Sequence, residues 1–339
     1  MRLSVLDQSP AAAGRGEDEA IRASVALAEH CEALGYERFW VSEHHNLAAL
    51  AGTAPEVLLA AIAARTRRMR LGSAGVMLPH YAPLKVAEQF RVLDALAPGR
   101  IDLGVGRAPG GDMRTAAALN PNALQAAEDF PQAVADLQAW VGGTRHGGIV
   151  AHPRAPEGAG PARTPEVWIL GSSTYGAQLA AHMGLPYAFA YFFADGQGVE
   201  AALDLYRGLY RPSARHPRPE ATICVWALAA DDDASARFHA LSRERWWLDR
   251  QRGRLGALPR PEDVALTGFE ADEEALLAGS RAKTLVGAAA DVAARLQALA
   301  GRLALEHVVV NTWAHDEAVR QRSYTLLARE FGLAPQTSS

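Results

Sequence analysis

Short apolar runs rich in branched and aromatic residues recur along the chain, and a longer stretch of helical periodicity follows most of them. The runs fall at 3–6, 39–42, 69–77, 101–105, 167–170, 187–190, 222–229 and 307–311. Between them the spacing predicts helices over 17–34, closed by Gly35, and over 55–65, opened by Pro55. Further helices are predicted over 83–97, closed by Pro98 and Gly99, and over 315–330. Eight strands separated by helices place the chain in the α/β class as a (β/α)₈ TIM barrel with insertions rather than an open sheet. Such a barrel can occupy residues 1–335 as one domain, leaving 336–339 as a frayed tail.

Two regions break the repeat. Residues 106–165 hold a glycine-rich turn, an alanine-rich helix and a Gly/Pro/Arg loop, and 231–285 hold Trp246, Trp247 and an acidic helix start. Excursions of this length in compact domains tend to be functional, so both are candidate lids.

Composition narrows the function classes. Hydrophobic residues make up 49% of the 339 and charged ones 21%, enough for a large core and inconsistent with global disorder. The net charge of −4 comes without a basic stripe, which argues against nucleic acid as a partner. No apolar run reaches membrane-span length and the amino terminus lacks a signal-peptide pattern, so a soluble cytoplasmic protein is expected. Cys31 and Cys224 fit neither a disulfide framework nor a zinc site and read as core.

The candidate chemistry sits where strands end. The run 38–42 exits into Glu43, His44, His45 and Asn46, which puts proton-handling groups at the carboxyl end of a barrel strand. A polar strand exit with two solvated histidines is an equally simple account. Adjacent residues on a strand point to opposite faces, so His44 and His45 cannot both hold one ion, and no metal centre is expected even with His80 near another strand end. The glycines of 104–111 are spaced one residue too long for a dinucleotide fingerprint; they suit a backbone passing close to a flat ligand, with Arg107 for a phosphate. At 168–181 an apolar strand ends at Gly171, and Ser172, Ser173 and Thr174 precede a helix, which makes either an anion seat or an ordinary serine cap. Small residues Gly72, Ser73, Ala74 and Gly75 interrupt the third strand, from close ligand approach or from barrel packing. There is no G-x-S-x-G elbow for a nucleophilic serine.

Taken together, WVSEHHN, GSAGVMLPHYAPLKVAEQF, LDALAPGRIDLGVGRAPGGD and WILGSS resemble the luciferase-like monooxygenase family over nearly the whole length. The resemblance implies an enzyme that uses reduced FMN, supplied by a separate flavin reductase, and O₂ to oxygenate a small organic substrate through a flavin hydroperoxide. A homodimer is common among such relatives. The same fold also serves a flavin-binding protein without turnover or a deazaflavin-dependent oxidoreductase. By the resemblance His44 is the active-site proton donor or acceptor and Glu43 orients the site. Ala74-Gly75 takes the place of a non-prolyl cis peptide against the ring, and Asp7 and Gln8 line the floor. Arg107, Gly171, Ser172, Ser173 and Tyr175 grip the phosphate. Some relatives add a basic residue downstream; 115–144 has none, which leaves Arg114 as a substitute. Tyr81, Tyr191, Trp246 and Trp247 are candidates for an apolar substrate wall.

Overall fold

The eight apolar runs close on one another. In the computed structural model, which describes residues 1–107, 111–154, 160, 163–193 and 195–334, they are the strands β1 (Arg2–Asp7), β2 (Arg38–Val41), β3 (Arg70–Met77), β4 (Ile101–Gly106), β5 (Glu166–Gly171), β6 (Tyr187–Phe189), β7 (Ala221–Ala230) and β9 (His307–Asn311). Each pairs in parallel with its neighbour, β6 pairs with β7, and β9 joins β7 to β1, so the sheet is a closed eight-stranded TIM barrel. The first four strands and their outer helices form early in the chain, with α1 (Glu17–Leu34), α2 (Pro55–Arg65) and α3 (Pro83–Leu96) between them. Gly35 closes α1 at φ 92°, the left-handed conformation that glycine adopts without penalty.

The first excursion is narrower than the sequence suggests. In it, α4 (Met113–Leu119) and α5 (Ala123–Glu128) are the additions, whereas α6 (Phe130–Val141) packs on α3 as an ordinary barrel helix. Residues 108–110 of the glycine-rich turn and the expected tail at 336–339 lie outside the described residues. After β5 the repeat continues through α7 (Thr174–Met183) and α8 (Val199–Leu209). The second excursion carries α9 (Asp233–Gln251), α10 (Pro261–Thr267) and α11 (Ala271–Arg281), then an unexpected strand, β8 (Leu285–Ala288). This strand pairs only with the last residues of β7, Ala227 to Ala230, and stands outside the ring. Helices α12 (Ala289–Arg302) and α13 (Glu317–Glu330) complete the outer layer.

Three layers fill the barrel. At the amino ends of the strands, buried Arg38 meets Asp102 at 2.9 Å and Glu166 at 3.1 Å. Above it, Leu6, Trp40, Trp168, Ala188, Cys224 and Val309 form an apolar middle, with the two tryptophan rings 5.1 Å apart, edge to face. The third layer is a cavity at the carboxyl ends. Gly72 and Gly104 belong to barrel packing: a Cβ on Gly72 would lie 2.6 Å from Asp102 Cβ, and one on Gly104 would lie 2.2 Å from the Ser73 carbonyl oxygen.

Candidate active site

The carboxyl ends of β1 to β7 enclose a cavity of about 280 Å³. Leu6, Trp40, Ala74, Leu170, Ala188 and Phe192 give it an apolar middle, and polar groups stand at its two ends. At one end are Arg107 after β4 and Ser172, Ser173 and Tyr175 at the start of α7. Ser173 is the N-cap residue, yet its hydroxyl makes no capping bond to the helix. The first-turn N–H groups of α7 and the helix dipole therefore face the cavity end with hydroxyl donors beside them. The Arg107 guanidinium carbon sits 4.0 Å from the Tyr175 ring centroid. One guanidinium, hydroxyls and free backbone donors suit a phosphate monoester.

Glu43 and His44 stand toward the other side, on the β2 exit. His44 Nδ1 lies 3.0 Å from the Ser42 hydroxyl, and its backbone N–H donates to Gly52 at 2.9 Å. Its Nε2 has no hydrogen-bond partner among the described residues, in a side chain that lines the cavity. Burial drives the His44 pKa down to about 4, helped by the nearby Arg250 guanidinium and by His45. The imidazole is neutral at pH 7 and can accept a proton or pass one on.

Glu43 is spoken for. One carboxylate oxygen accepts from the Tyr81 hydroxyl at 2.8 Å and lies 2.8 Å from His45 Nε2; the other accepts the Met77 N–H at 3.0 Å. Burial, with the neighbouring carboxylate, pushes the Tyr81 hydroxyl well above its usual range, so it stays a donor. With three partners, Glu43 ties the β2 exit to the end of β3. Within β3 the Ala74-Gly75 peptide is cis, and both residues line the cavity. The first excursion closes over this corner. Asn46 donates to Asp112, the N-cap of α4, at 3.0 Å, and a Cβ on Gly111 would come within 2.9 Å of the His45 carbonyl oxygen.

Of the residues singled out in the sequence, Glu43, His44, Ala74, Gly75, Arg107, Gly171, Ser172, Ser173 and Tyr175 all reach this cavity, as does Gln8. Asp7 does not. Its side chain is fully buried beneath the cavity, where Oδ1 accepts from Arg320 and from the Ser9 N–H. The alternation of a strand explains the swap: Gln8 faces the cavity and Asp7 faces the outer helix α13. Arg114 is exposed on α4 and not among the lining residues. The aromatic wall also differs from the expected one. Phe130, Phe189, Phe192 and Phe193 line the cavity, whereas Trp246 packs on Trp313 with centroids 4.7 Å apart and Tyr81 serves Glu43. Cys224 is buried as expected but faces the cavity. Phe192 and Phe193 follow a three-residue strand, and nothing in the FF pair itself separates a lining role from core.

A family profile described as luciferase-like monooxygenase matches residues 1–306. The chain belongs to the luciferase-like monooxygenase family. It is 40% identical over 324 residues to a luciferase-like monooxygenase of Escherichia coli (strain K12), covering 96% of this chain and 95% of the relative. It is 35% identical over 335 residues to the N-acetyl-S-alkylcysteine monooxygenase of Bacillus subtilis (strain 168), covering 97% of each. The solved structure of apo-MsnO8 superposes with a TM-score of 0.89 at 34% identity over 99% of both chains. Solved structures of lower identity share the fold alone. Among them are the FMN complex of a type II Baeyer-Villiger monooxygenase from Pseudomonas putida (TM-score 0.70, 19% identity, 99% of this chain and 98% of that one) and an F420-dependent secondary alcohol dehydrogenase (0.58, 14%, 96% and 97%). This luciferase-like monooxygenase is therefore an oxygen-using flavin oxidoreductase on a TIM barrel. No helix among the described residues is long and apolar enough to cross a membrane.

Proposed function

We propose that this luciferase-like monooxygenase takes reduced FMN from a separate flavin reductase and uses O₂ to oxygenate a small organic substrate by way of a flavin hydroperoxide. One observation carries the reading: a single cavity joins an anion seat at Arg107 and α7 to an apolar middle and a neutral imidazole at His44. A flat aromatic ring bearing a phosphate monoester on a flexible tail matches that order of surfaces. When bound, reduced FMN supplies the two electrons that activate oxygen. The chain's own residues do the rest. Arg107, Ser172, Ser173 and the first turn of α7 hold the phosphate, while Leu6, Leu170 and Ala188 keep water from the ring. His44 Nε2 accepts or returns the proton that moves at the reacting atoms, and Glu43 holds the β2 and β3 ends in register. Cytoplasmic residence and a homodimer fit this reading, since a diffusing reductase must reach the site.

The test is anaerobic titration with reduced FMN, oxidised FMN and reduced deazaflavin, followed by mixing with oxygenated buffer while absorbance is recorded. Preferential binding of reduced FMN and a transient hydroperoxide band near the time of oxygen mixing are expected. Tighter binding of the deazaflavin, or retained flavin with no oxygen uptake, overturns it.

A further inference from the structure

Beneath the apolar layer, at the end of the barrel opposite His44, Glu166, His216 and Glu220 turn their donor atoms toward one point. Glu166 opens β5, and Glu220 immediately precedes β7. His216 sits in the intervening connection, held by Tyr210 donating to its carbonyl at 2.9 Å and by its own N–H donating to Ser213 Oγ at 3.1 Å. One candidate donor atom from each lies within 4.8 Å of the other two. The decisive feature is the imidazole. Its side chain is 8% exposed, and its Nε2 is buried without a hydrogen-bond partner among the described residues, 4.0 Å from Glu166 Oε1. That separation is too long for a hydrogen bond and leaves a buried nitrogen lone pair or N–H unpaid for.

The surrounding cations do not fill the gap. Arg215 gives its guanidinium to Thr164 Oγ1 and to the carbonyls of Thr164 and Pro165, at 2.8 to 3.1 Å. Arg70 is committed to Asp102 and to two backbone carbonyls, and it reaches Glu166 Oε2 only at 3.7 Å. Arg38 and Trp168 both donate to Glu166 Oε2, which leaves Oε1 facing the imidazole. Glu220 Oε1 lies 3.5 Å from Arg38 Nη2, at the outer limit of a hydrogen bond.

We propose that Glu166, His216 and Glu220 form a structural binding site for a divalent transition ion of the zinc class. One imidazole nitrogen and two carboxylate oxygens are ligands zinc accepts, with water as the fourth. Tetrahedral zinc holds such donors roughly 3.3 Å apart, which rotation of the two carboxyl groups supplies. A cavity of about 300 Å³ bordered by His216, Arg215 and Gln138 provides an approach for the ion. Bound there, the ion ties the start of β5 to the approach to β7 and stabilises the fold without touching the flavin cavity.

The experiment uses untagged full-length protein, stripped with chelator and dialysed against zinc or cobalt. Metal content by mass spectrometry, the visible absorption of the cobalt form and the thermal midpoint are read. One equivalent of metal, cobalt bands of a low-coordinate site and a raised midpoint are expected, with all three lost in His216→Gln and Glu220→Gln. His146→Ala, which removes a surface imidazole, should change none of them. Circular dichroism checks that each variant is folded; Glu166→Gln repeats the test if His216→Gln is not. Metal uptake that is absent, or equal in wild type and the folded variants, overturns the proposal.

Discussion

The guanidinium of Arg107 rests over the ring of Tyr175, 4.0 Å from its centroid, and this contact joins the end of β4 to the first turn of α7. Two strand exits are thereby brought together at one end of the cavity. Arg107→Ala removes a charge-assisted donor worth about 1.5–3 kcal/mol, so the dissociation constant for reduced FMN should rise roughly ten- to a hundredfold. Tyr175→Leu removes only the ring that steadies the arginine and should cost about fivefold or less. Fluorescence titration at two salt concentrations checks both. Affinity of the Arg107 variant should also respond less to salt, because the screened charge is gone.

Glu43 gives a second expectation, with a different readout. Glu43→Gln keeps the volume but turns one acceptor oxygen into a donor facing Tyr81, His45 or the Met77 N–H. Leaving buried donors without their carboxylate costs about 1–3 kcal/mol. Urea unfolding should show a lower midpoint with an unchanged slope. Flavin affinity should fall as well, since the Met77 backbone fixes the end of the strand that carries Ala74 and Gly75. A variant with native stability and native affinity would show that the three contacts do not hold the corner.

The pH dependence turns on His44. Its folded-state pKa of about 4 lies below the ordinary value of 6.5. Between those two values the unfolded chain binds a proton that the folded one refuses, so stability rises with pH across this window. The contribution of His44 is complete above pH 6.5, declines as the pH falls, and is exhausted near pH 4. His44→Gln removes it. The stability difference between wild type and variant, measured by urea titration at several pH values, should therefore slope between pH 4 and 6.5 and be flat above. In turnover, the acid limb belonging to this imidazole should sit near pH 4, leaving activity between pH 6 and 8 insensitive to it.

Much of this arrangement could be read from the residues alone. The eight barrel strands each carry a run of branched or aromatic residues long enough to register, and the cavity gathers the groups placed at their exits, from His44 on β2 to Ser173 after β5. What escaped notice lacked such a signal. Strand β8 is four residues, Leu285–Ala288, with a glycine among them, and its pairing depends on the overhang of β7 rather than on its own pattern. The lining by Phe192 rather than Trp246 depends on α9 packing against β7 and β8 with Trp246 on Trp313, a tertiary matter invisible to periodicity. In the Glu166, His216 and Glu220 cluster, Glu166 lies 50 or more positions from the other two, and a histidine and a glutamate four apart form no motif by themselves. Asp7 misled for a simpler reason: next to a cavity-facing residue on a strand, a side chain points the other way.

That misplacement supplies the last prediction. Asp7 and Arg320 form a fully buried ion pair between β1 and α13, with Arg320 also bound to Glu317 at 2.8 Å and to the Thr312 carbonyl at 3.2 Å. Removing one member of such a pair strands the other in a medium of low polarity, at a cost of about 3–5 kcal/mol. Asp7→Ala should therefore unfold at markedly lower urea. If Asp7 acts only through this pair, the fraction that remains folded should bind reduced FMN with wild-type affinity, because no atom of the side chain borders the cavity. The contrast with Gln8 sharpens the test. Gln8 borders the cavity while accepting from Trp313 Nε1 at 3.1 Å and from Asn311, so Gln8→Ala should weaken flavin binding at a smaller cost in stability. Equal losses of flavin affinity in both variants would return Asp7 to the cavity floor.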